Sequence, residues 1–406
     1  MRSHVLLCLL FCVISGERND ESEIISDSIF RLGAKLLETT GESCVLSPFS
    51  LAMTLGNLNN GVLSNEITRN VFHGVSKEAV NKWFSSILPP VMEKEPIASK
   101  ICINPFVSVD SKFKRDSELY YKMRLKSFDF TDNLDDAIRL INDYIQAATN
   151  GRIRDMVDAN DVDSDTEFFV PSAFFMDVKF DQPFHKGRTV TKPFYTENGV
   201  VKQVNMMNAA LYDRNVRLIT TSTFQFARFK VADYELYRKT QFQEMSSYDF
   251  FVILPKPEYS LNEIIQRFAS DAHLFSKLDD PSTFGKHTRK LHPSINVEIP
   301  RFAVESKLNL STFKDELGLA AIFNRTTANW GRLQSATFAK LKDITHAAVI
   351  EVHEEQRNVT RYTIKHGFYR YMYYYPYEII PKLVINRPFM YGVTYKNVPL
   401  ILGKYC

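Results

Sequence analysis

The stretch EFFVPSAFFMDVKF, which runs from Glu167 to Phe180, contains aromatic, aliphatic and small residues almost without polar interruption. Aromatic and β-branched residues are enriched in strands, and an apolar run without alternation is typical of a strand that is buried on both faces. The stretch therefore predicts a buried strand over Glu167–Phe175. The segments around it decide what kind of fold the strand belongs to.

The segments that precede this strand carry helical signals. Apolar residues recur at i, i+4, i+7 and i+11 over residues 25–36, which places them on one face of a helix. Ser47 is a good N-cap and Pro48 a good first residue for a second helix, and Asn60–Gly61 is expected to end it in a left-handed cap. A third amphipathic helix is predicted within RLINDYIQAATNGRIRDMV (residues 139–157), with Asn150–Gly151 at its end.

The segments that follow the strand predict a mixed fold. DFFVILPKP (residues 249–257) is a second buried strand that Pro255 stops, and NVEIPRFAVES (296–306) alternates as a half-buried strand does, with Pro300 as an irregularity. STFKDELGLAAIF (311–323) has a helical pattern, and the tail (382–405) predicts strands that turn at Lys396–Asn397. Helices and strands that are mixed without a linker or repeat indicate one large α+β domain over residues 17–406.

The overall composition is that of an ordinary globular protein. The chain has 406 residues, of which 45% are hydrophobic and 24% charged, and its formal net charge is +3. A charge this close to neutral gives no support to a nucleic-acid partner.

The N-terminus, MRSHVLLCLLFCVISG, predicts a signal peptide over residues 1–16. Arg2 supplies a positive start, Val5–Ile14 an apolar core, and Ser15 and Gly16 the small residues suited to cleavage. The apolar run is too short for a bilayer, and no later segment reaches the ~18 apolar residues of a transmembrane helix. We therefore expect a secreted, extracellular protein without a transmembrane segment.

The cysteines do not form the pattern of a disulfide framework. After removal of the signal peptide, Cys44, Cys102 and Cys406 remain, so that at most one pair can form, and Cys406 is either free or available for an intermolecular bridge. Neither CxxC nor HExxH occurs, which argues against a zinc site, and the absence of a GxSxG elbow argues against a hydrolase of that type. We expect no metal and no cofactor.

Eight motifs in the chain resemble those of the serpin superfamily and occur in the same order. They are VLSPFSLAMTLGNL, INDYIQAATNGRIRDMV, EFFVPSAFFMDVKFDQPF, VKQVNMMN, FFVILPKP, VEIPRFAVESKLNLSTFKDELGLAAIF, ITHAAVIEVHEE and INRPFMYGV. The resemblance covers nearly the whole of the expected mature chain. It implies an α+β fold of three β-sheets and eight or nine helices, with an exposed reactive loop before the last strands, at about residues 354–381.

The resemblance also implies a function, inhibition of serine proteases by a suicide-substrate scaffold that is not itself an enzyme. A target protease attacks the reactive loop. In inhibitory members, the cleaved loop then inserts into the central sheet as a new strand and distorts the acyl-enzyme. The energy comes from strain that is released when the strand is added.

In the region of the sheet that opens for insertion, three positions match the family and two depart from it. Ser47 and Ser50 match small polar residues beneath the central sheet, and His346 matches a histidine that hydrogen-bonds there. Helix capping by Ser47 and an ordinary buried histidine at 346 are compatible with the same placement. Ser172 and Phe180 depart from the family, which usually has Asn and Trp at these positions along the opening path.

The reactive bond has two candidate positions. Glu354 and Glu355 match the start of the reactive loop, and the usual spacing from Glu354 predicts cleavage at Arg370–Tyr371. Counting backward from KLVINRPF gives Tyr377–Glu378 instead. We favour Arg370, because the length inserted before the bond is mechanically constrained, whereas extra loop after it costs little. An arginine there suits a trypsin-like protease, whose specificity pocket is acidic.

The hinge of this loop is unusual for an inhibitor. Inhibitory serpins carry glycine, threonine and alanines after the glutamates, and this chain carries Gln356, Arg357, Asn358, Val359, Thr360 and Arg361. Side chains alternate along a strand, so that Arg357 and Arg361 share the face that the resemblance turns toward the core. Burial of an unpaired arginine costs several kcal/mol, and we therefore expect inefficient trapping.

Two classes of function remain open at this stage. The first is a secreted inhibitor of a trypsin-like serine protease, acting through Arg370. The second is a non-inhibitory serpin that acts as a binding, carrier or surface protein. Sequons at Asn309, Asn324 and Asn358 predict glycans on a secreted chain, and a glycan at Asn358 would block insertion. The tyrosines between residues 369 and 377 form either a docking patch or a segment folded onto the body.

Overall fold

The computed structural model describes residues 21–212, 214–233, 246–271, 273–278, 294–334, 339–354 and 380–406. The α-helices in these ranges are α1 (21–38), α2 (Pro48–Asn59), α3 (Lys77–Met92), α4 (Ser111–Tyr121), α5 (Leu134–Ala148), α6 (Leu261–Ser270), α7 (Leu274–Lys277) and α8 (Arg325–Ala328). The strands are β1 (Cys44–Leu46), β2 (Ile97–Ser99), β3 (Ile101–Ile103), β4 (Ser108–Val109), β5 (Leu125–Ser127), β6 (Phe168–Val178), β7 (Val190–Tyr195), β8 (Val201–Tyr212), β9 (Val216–Thr220), β10 (Phe224–Lys230), β11 (Tyr248–Pro255), β12 (Ser294–Pro300), β13 (Phe302–Asn309), β14 (Leu333–Gln334), β15 (Leu341–Val352), β16 (Lys382–Val384), β17 (Phe389–Tyr395) and β18 (Val398–Tyr405).

These strands form three large sheets and one small ribbon. The central sheet has the order β13-β15-β6-β3-β5, and β2 also pairs with β6. A second sheet has the order β1-β18-β17-β11-β10-β9, a third has β16-β12-β8-β7, and β14 pairs with β4. The predicted α+β class with three sheets is confirmed, and the eight α-helices within the described ranges agree with the expected eight or nine.

Strand β6 is buried on both faces, as the opening stretch predicts. Its even-numbered apolar side chains, such as Phe168 and Phe174, join the main core, whereas Phe169 and Phe175 join a second core that Ile141 of α5 helps to form. Two apolar layers on opposite sides of one strand explain the lack of alternation in its sequence. The strand runs beyond the predicted end, to Val178.

The two central strands β6 and β15 pair directly and in parallel. His346 lies opposite Ser172, and the ladder continues to Val352 opposite Val178. The strand β13 pairs with the other edge of β15. A new strand inserted between β6 and β15 would have to break this ladder.

Most local predictions for helix starts and turns are confirmed. Helix α1 buries its predicted face, and α2 begins at Pro48 after the Ser47 N-cap. The hairpin between β17 and β18 turns at Lys396 and Asn397, which have φ of 47° and 67°. The predicted left-handed cap at Asn60–Gly61 is wrong, because Asn60 has φ −75° and is right-handed. Gly61 packs closely, since a Cβ at this residue would lie 2.9 Å from a Leu333 methyl and the Leu333 side chain would have to shift.

Two longer segments differ from the prediction. Residues 296–306 are not one strand, because β12 ends at Pro300 and the chain crosses into the central sheet as β13. Residues 311–323 do not form an α-helix. They contain the short 3₁₀ turns Leu310–Phe313 and Ala320–Phe323, separated by Gly318 with φ 64°, a conformation that a helix interior does not allow. No helix within the described ranges has the length and apolar character to cross a bilayer.

Candidate functional site

The N-terminus of α2 lies directly beneath the two central strands. The Ser47 hydroxyl caps the helix by accepting from the Ser50 N–H (3.1 Å) and donates to the Leu400 carbonyl on β18 (2.7 Å). The Ser50 hydroxyl donates to the Ser47 carbonyl (3.2 Å). All of these serine atoms are buried. The helix cap therefore also ties α2 to the neighbouring sheet.

His346 on β15 joins this helix end to the central sheet. Its Nε2 accepts from the Ser47 N–H at 2.9 Å, and its Nδ1 lies 3.3 Å from the Ser172 hydroxyl oxygen on β6. An accepting Nε2 places the ring proton on Nδ1, which then donates to Ser172. Complete burial lowers the pKa of His346 to about 3, so the ring is neutral at physiological pH.

Ser172 is the centre of a directed chain of hydrogen bonds. Its hydroxyl donates to the Ser50 hydroxyl (3.2 Å) and accepts from the Ser99 hydroxyl on β2 (3.2 Å). Every serine hydroxyl in the chain from Ser99 through Ser172 and Ser50 to Ser47 thus has an acceptor. We call Ser47, Ser50, Ser99, Ser172 and His346 the polar cluster.

Four of the predicted opening-region residues meet in the polar cluster, and the fifth does not. Phe180 lies beyond the end of β6, where it bridges to Val231 and packs edge-on against Phe184, Phe229 and Phe250. Phe180 is therefore a buried aromatic residue just beyond the C-terminal end of β6. Ser99 was missed by sequence reasoning, because only the pairing of β2 with β6 brings it next to Ser172.

A network of ion pairs crosses from β6 to β15 near the ends of these strands. Asp177 lies opposite Glu351, and the Asp177 carboxylate contacts His353 Nε2 (2.8 Å) and Lys179 Nζ (2.6 Å). Arg152, just beyond α5, contacts Glu351 at 2.7 Å. Burial opposes ionisation of Asp177, but the hydrogen bonds from His353 and Lys179 outweigh it and lower its pKa to about 2.

The same carboxylates and imidazole are of types that bind metals. The candidate ligand atoms of Asp177, Glu351 and His353 lie within 4.8 Å of one another. Both carboxylates already contact cationic side chains, Lys179 and Arg152. We therefore describe the group as an ion-pair clasp between two strands and call it the strand clasp.

Glu354 is the last described residue before the predicted reactive loop. Its side chain is 3% exposed; Thr189 donates to Oε1 at 2.6 Å, and Arg301 Nη1 lies 3.7 Å from Oε2. Glu354 lines a cleft of about 560 Å³, together with Lys186, Asn205, Arg301, Phe302, Ala303, Glu351, Val352 and His353. The predicted hinge from Glu355 onward, Asn358 and both candidate bonds lie outside the described residues, as does the predicted signal peptide.

The two described sequons differ in access. Asn309 is part of a hydrogen-bonded group, in which its Nδ2 donates to Asp161 (3.1 Å) and its Oδ1 accepts from Thr345 (2.8 Å). Asn324 is exposed, and its Oδ1 accepts from the Thr326 hydroxyl (2.8 Å) and N–H (2.9 Å). Cys44, Cys102 and Cys406 are free thiols.

Known proteins resemble this chain along most of its length. A family model described as Serpin (serine protease inhibitor) matches residues 25–406. Serpin B6 of Bos taurus is 23% identical over 392 residues, which cover 92% of this chain and 95% of the relative.

Solved structures show the same fold. Arabidopsis AtSerpin1, in its native stressed conformation, superposes with a TM-score of 0.78 at 18% identity, covering 95% of this chain and 98% of that one. Manduca sexta serpin-12 gives a TM-score of 0.75 at 18% identity, covering 95% and 97%. The family match, together with the paired central strands and the polar cluster beneath them, shows that the chain belongs to the serpin family.

Proposed function

We propose that this chain is a secreted serpin that presents its reactive loop to a trypsin-like serine protease, which cleaves it at Arg370–Tyr371. The alternative bond, Tyr377–Glu378, remains open. The observation that best supports the proposal is the direct pairing of β6 with β15. We call the boundary between these two strands the seam; it is closed here, and a cleaved loop would enter the sheet through it. Glu354, held by Thr189, lies at the end of that seam.

Entry of a strand requires the seam to part. The parallel ladder between β6 and β15 must break, along with the contact of His346 with Ser172 and that of His353 with Asp177. A new strand can restore backbone hydrogen bonds on both of its edges. The side chains that it carries into the seam therefore decide how favourable and how fast the insertion is.

The side chains at the C-terminal ends of β6 and β15 explain why insertion is expected to be slow. The core-facing positions there are apolar and buried: Met176 and Val178 on β6, and Ile350 and Val352 on β15. The carboxylates Asp177 and Glu351 have the opposite parity and so lie on the other face. Arginines turned toward the core would meet no carboxylate at these positions, which is the costly case of an unpaired buried charge.

Slow insertion changes the outcome of the encounter with a protease. Insertion must outrun hydrolysis of the acyl-enzyme, and each ~1.4 kcal/mol added to the insertion barrier slows it tenfold. We infer that most encounters end in a cleaved loop and a released protease, so that covalent trapping is inefficient.

The second candidate is a non-inhibitory serpin that acts as a binding, carrier or surface protein. It is favoured by the charged hinge residues Arg357 and Arg361 and by the sequon at Asn358. In this case the tyrosine-rich segment after residue 368 would serve as a docking surface.

Incubation with a trypsin-like protease separates these alternatives. We expect mostly cleaved serpin and little SDS-stable complex, and a stable complex at one-to-one stoichiometry would refute inefficient trapping. The Tm of the cleaved protein then reports insertion, because a large rise means that the loop entered the sheet and no rise supports the non-inhibitory candidate. Mass spectrometry of the released fragment distinguishes Arg370 from Tyr377.

A further inference from the structure

Two cationic side chains and a histidine converge between α1 and the short π-helical turn Ile67–Val71. Arg31 and Lys35 are four residues apart on α1 and so share one helix face, and His73 follows the turn. Arg31 Nη1 lies 3.3 Å from His73 Nε2, and Arg31 Nε donates to the Ala269 carbonyl at the end of α6 (2.9 Å). Because arginine can only donate, Nε2 of His73 must accept in this contact.

The positive charges of Arg31 and Lys35 lie close together without a paired carboxylate among the described residues. Burial, and then Arg31, lowers the pKa of Lys35, and burial, Arg31 and Lys35 lower the pKa of His73. Within the described ranges, no carboxylate is ion-paired with any of the three side chains; Glu38 has only a weak electrostatic effect on Lys35. Like charges gathered without a counter-charge favour the binding of an anion.

A buried hydroxyl faces the same place. Ser28 lies on α1 one turn before Arg31 and is 1% exposed, and its Oγ has no hydrogen-bond partner among the described residues. It lines a small pocket together with Arg31, Leu32, Lys35, Asn70, Val71, His73 and Leu317. Buried hydroxyls are normally hydrogen-bonded, so an unpaired one in a pocket that Arg31 and Lys35 also line indicates a missing acceptor.

The size of the pocket limits the ligand. The space in it that the centre of a water-sized sphere can occupy is about 10 Å³, which is room for about one atom of the size of a water oxygen. A larger anion can insert one oxygen toward Ser28 while its remaining oxygens lie at the mouth of the pocket, beside Arg31, Lys35 and His73. Neighbouring Asp27 does not supply this negative charge, because it contacts His273 and Ser276 at 3.0 Å.

We propose that Ser28, Arg31, Lys35 and His73 form a binding site for a sulfate or phosphate group. The Ser28 hydroxyl donates to one oxygen of the group, and the charges of Arg31 and Lys35 neutralise its charge. The same chemistry serves a sulfated glycan and free phosphate alike. The site lies on α1 and is independent of the reactive loop, so this proposal does not depend on the inhibitory function.

The test measures the binding of inorganic sulfate to the intact protein by calorimetry and by the shift in Tm, against sodium chloride of equal ionic strength. We expect one site for sulfate, and a rise in Tm that chloride does not reproduce. Lys35→Met should weaken sulfate binding at least tenfold. Lys100→Met is the matched control and should leave binding unchanged, because Lys100 is another half-buried lysine whose pKa burial lowers, and it lies over the Tyr144 ring.

Ser28→Ala provides a second, independent test. Removal of a hydroxyl without a partner should not lower the Tm in the absence of sulfate, but it should reduce the shift that sulfate causes. Two results would overturn the proposal by showing that the pocket holds only water or a halide. One is an equal shift in Tm with sulfate and with chloride. The other is a Tm difference between Ser28→Ala and the wild type that is the same with and without sulfate. Tighter binding of a sulfated disaccharide than of inorganic phosphate assigns the group to a glycan, and the reverse order assigns it to free phosphate.

Discussion

His346 on β15 accepts a hydrogen bond from the backbone N–H of Ser47, the N-cap of α2, at 2.9 Å. The bond requires an unprotonated Nε2, and burial lowers the pKa of His346 to about 3. A proton on Nε2 would remove the acceptor and leave a positive charge between the central sheet and α2. The polar cluster is therefore a place where the seam between β6 and β15 is sensitive to acid.

We expect the His346 ring to make the native fold less stable as the pH falls from about 6.5 toward 3. Its folded pKa lies below the ordinary value, so the unfolded chain binds more protons in this window and the free energy of unfolding drops. At pH 5 the loss due to this group is about 2 kcal/mol. Urea unfolding at pH 7.5 and pH 5 should show a smaller loss in His346→Asn than in the wild type.

The comparison with a variant is needed because Glu95 acts in the opposite direction. Burial raises the pKa of Glu95 to about 7, so its contribution to stability grows as the pH falls from 7 toward its ordinary value. Glu95 is present in both proteins, and the difference between them isolates His346. Equal losses in the wild type and in His346→Asn would contradict the prediction.

Removal of the Ser172 hydroxyl should destabilise the native form by about 1–3 kcal/mol, because it leaves the buried His346 Nδ1–H and the Ser99 hydroxyl without an acceptor. Ser172→Ala should therefore unfold at lower urea than the wild type. Ser86→Ala is the control, since that exposed hydroxyl only donates to the Trp83 carbonyl on the surface of α3. A Ser172→Ala variant as stable as the control would mean that these bonds do not contribute to stability.

Local sequence patterns were sufficient to predict β6, the buried face of α1, the start of α2 and the last hairpin. The polar cluster could not be predicted in this way. Ser99 and Ser172 are 73 residues apart, and their contact depends on the pairing of β2 with β6. The local pattern identified Ser47 as an N-cap, but only the family resemblance placed Ser47, Ser50, Ser172 and His346 in one region.

The prediction was wrong where tertiary packing overrides a local pattern. Residues 311–323 have helical spacing, yet Gly318 adopts positive φ and breaks the segment into 3₁₀ turns. The strand clasp was missed because Asp177 and Glu351 lie far apart in sequence and only the register of two parallel strands brings them together. Gly318 was a local signal that the helical spacing outweighed, whereas the pairing of two distant strands leaves no signal in a short window of sequence.

The strand clasp should resist separation of β6 from β15. His353→Ala removes the cross-strand contact with Asp177, whose charge Lys179 still balances, so we expect a modest loss of about 1 kcal/mol in stability. Because the contact must break before a strand can enter, the rate of insertion after loop cleavage should rise. The rate can be followed by the appearance of the high-Tm form, with His185→Ala, an exposed histidine outside the clasp, as the control. An unchanged rate in His353→Ala would exclude the clasp from the opening step.

The two described sequons should differ in glycosylation on a secreted chain. Asn324 should carry a glycan, because its side chain is exposed and only its Oδ1 is used for hydrogen bonds to Thr326. Asn309 should carry none, because its Nδ2 is held by Asp161, which is 2% exposed. Enzymatic deglycosylation with mass spectrometry should show a shift that Asn324→Gln removes and Asn309→Gln does not. A glycan on Asn309 would show that modification precedes closure of this contact during folding.

Replacement of the charged hinge side chains should convert a poor inhibitor into a better one. In Arg357→Thr/Arg361→Ala, the side chains that an inserted hinge would turn toward Met176, Val178, Ile350 and Val352 become small, and the cost of burying two unpaired charges disappears. Even ~1.4 kcal/mol removed from the insertion barrier accelerates it tenfold relative to hydrolysis. We therefore expect at least tenfold more SDS-stable complex with a trypsin-like protease than the wild type gives.

The control for this prediction is Gln356→Ala, which shortens a side chain on the opposite face and should change little. Asn358→Gln should be included in every background, because a glycan on that face would block entry whatever the charge of its neighbours. If the arginines are the obstacle, the double variant forms more complex and its cleaved form reaches the higher Tm faster than the wild type does, whereas Gln356→Ala matches the wild type in both. A double variant that is cleaved as the wild type is, with no rise in Tm, would place the obstacle in the seam itself, where Ser172 and Phe180 depart from the family pattern.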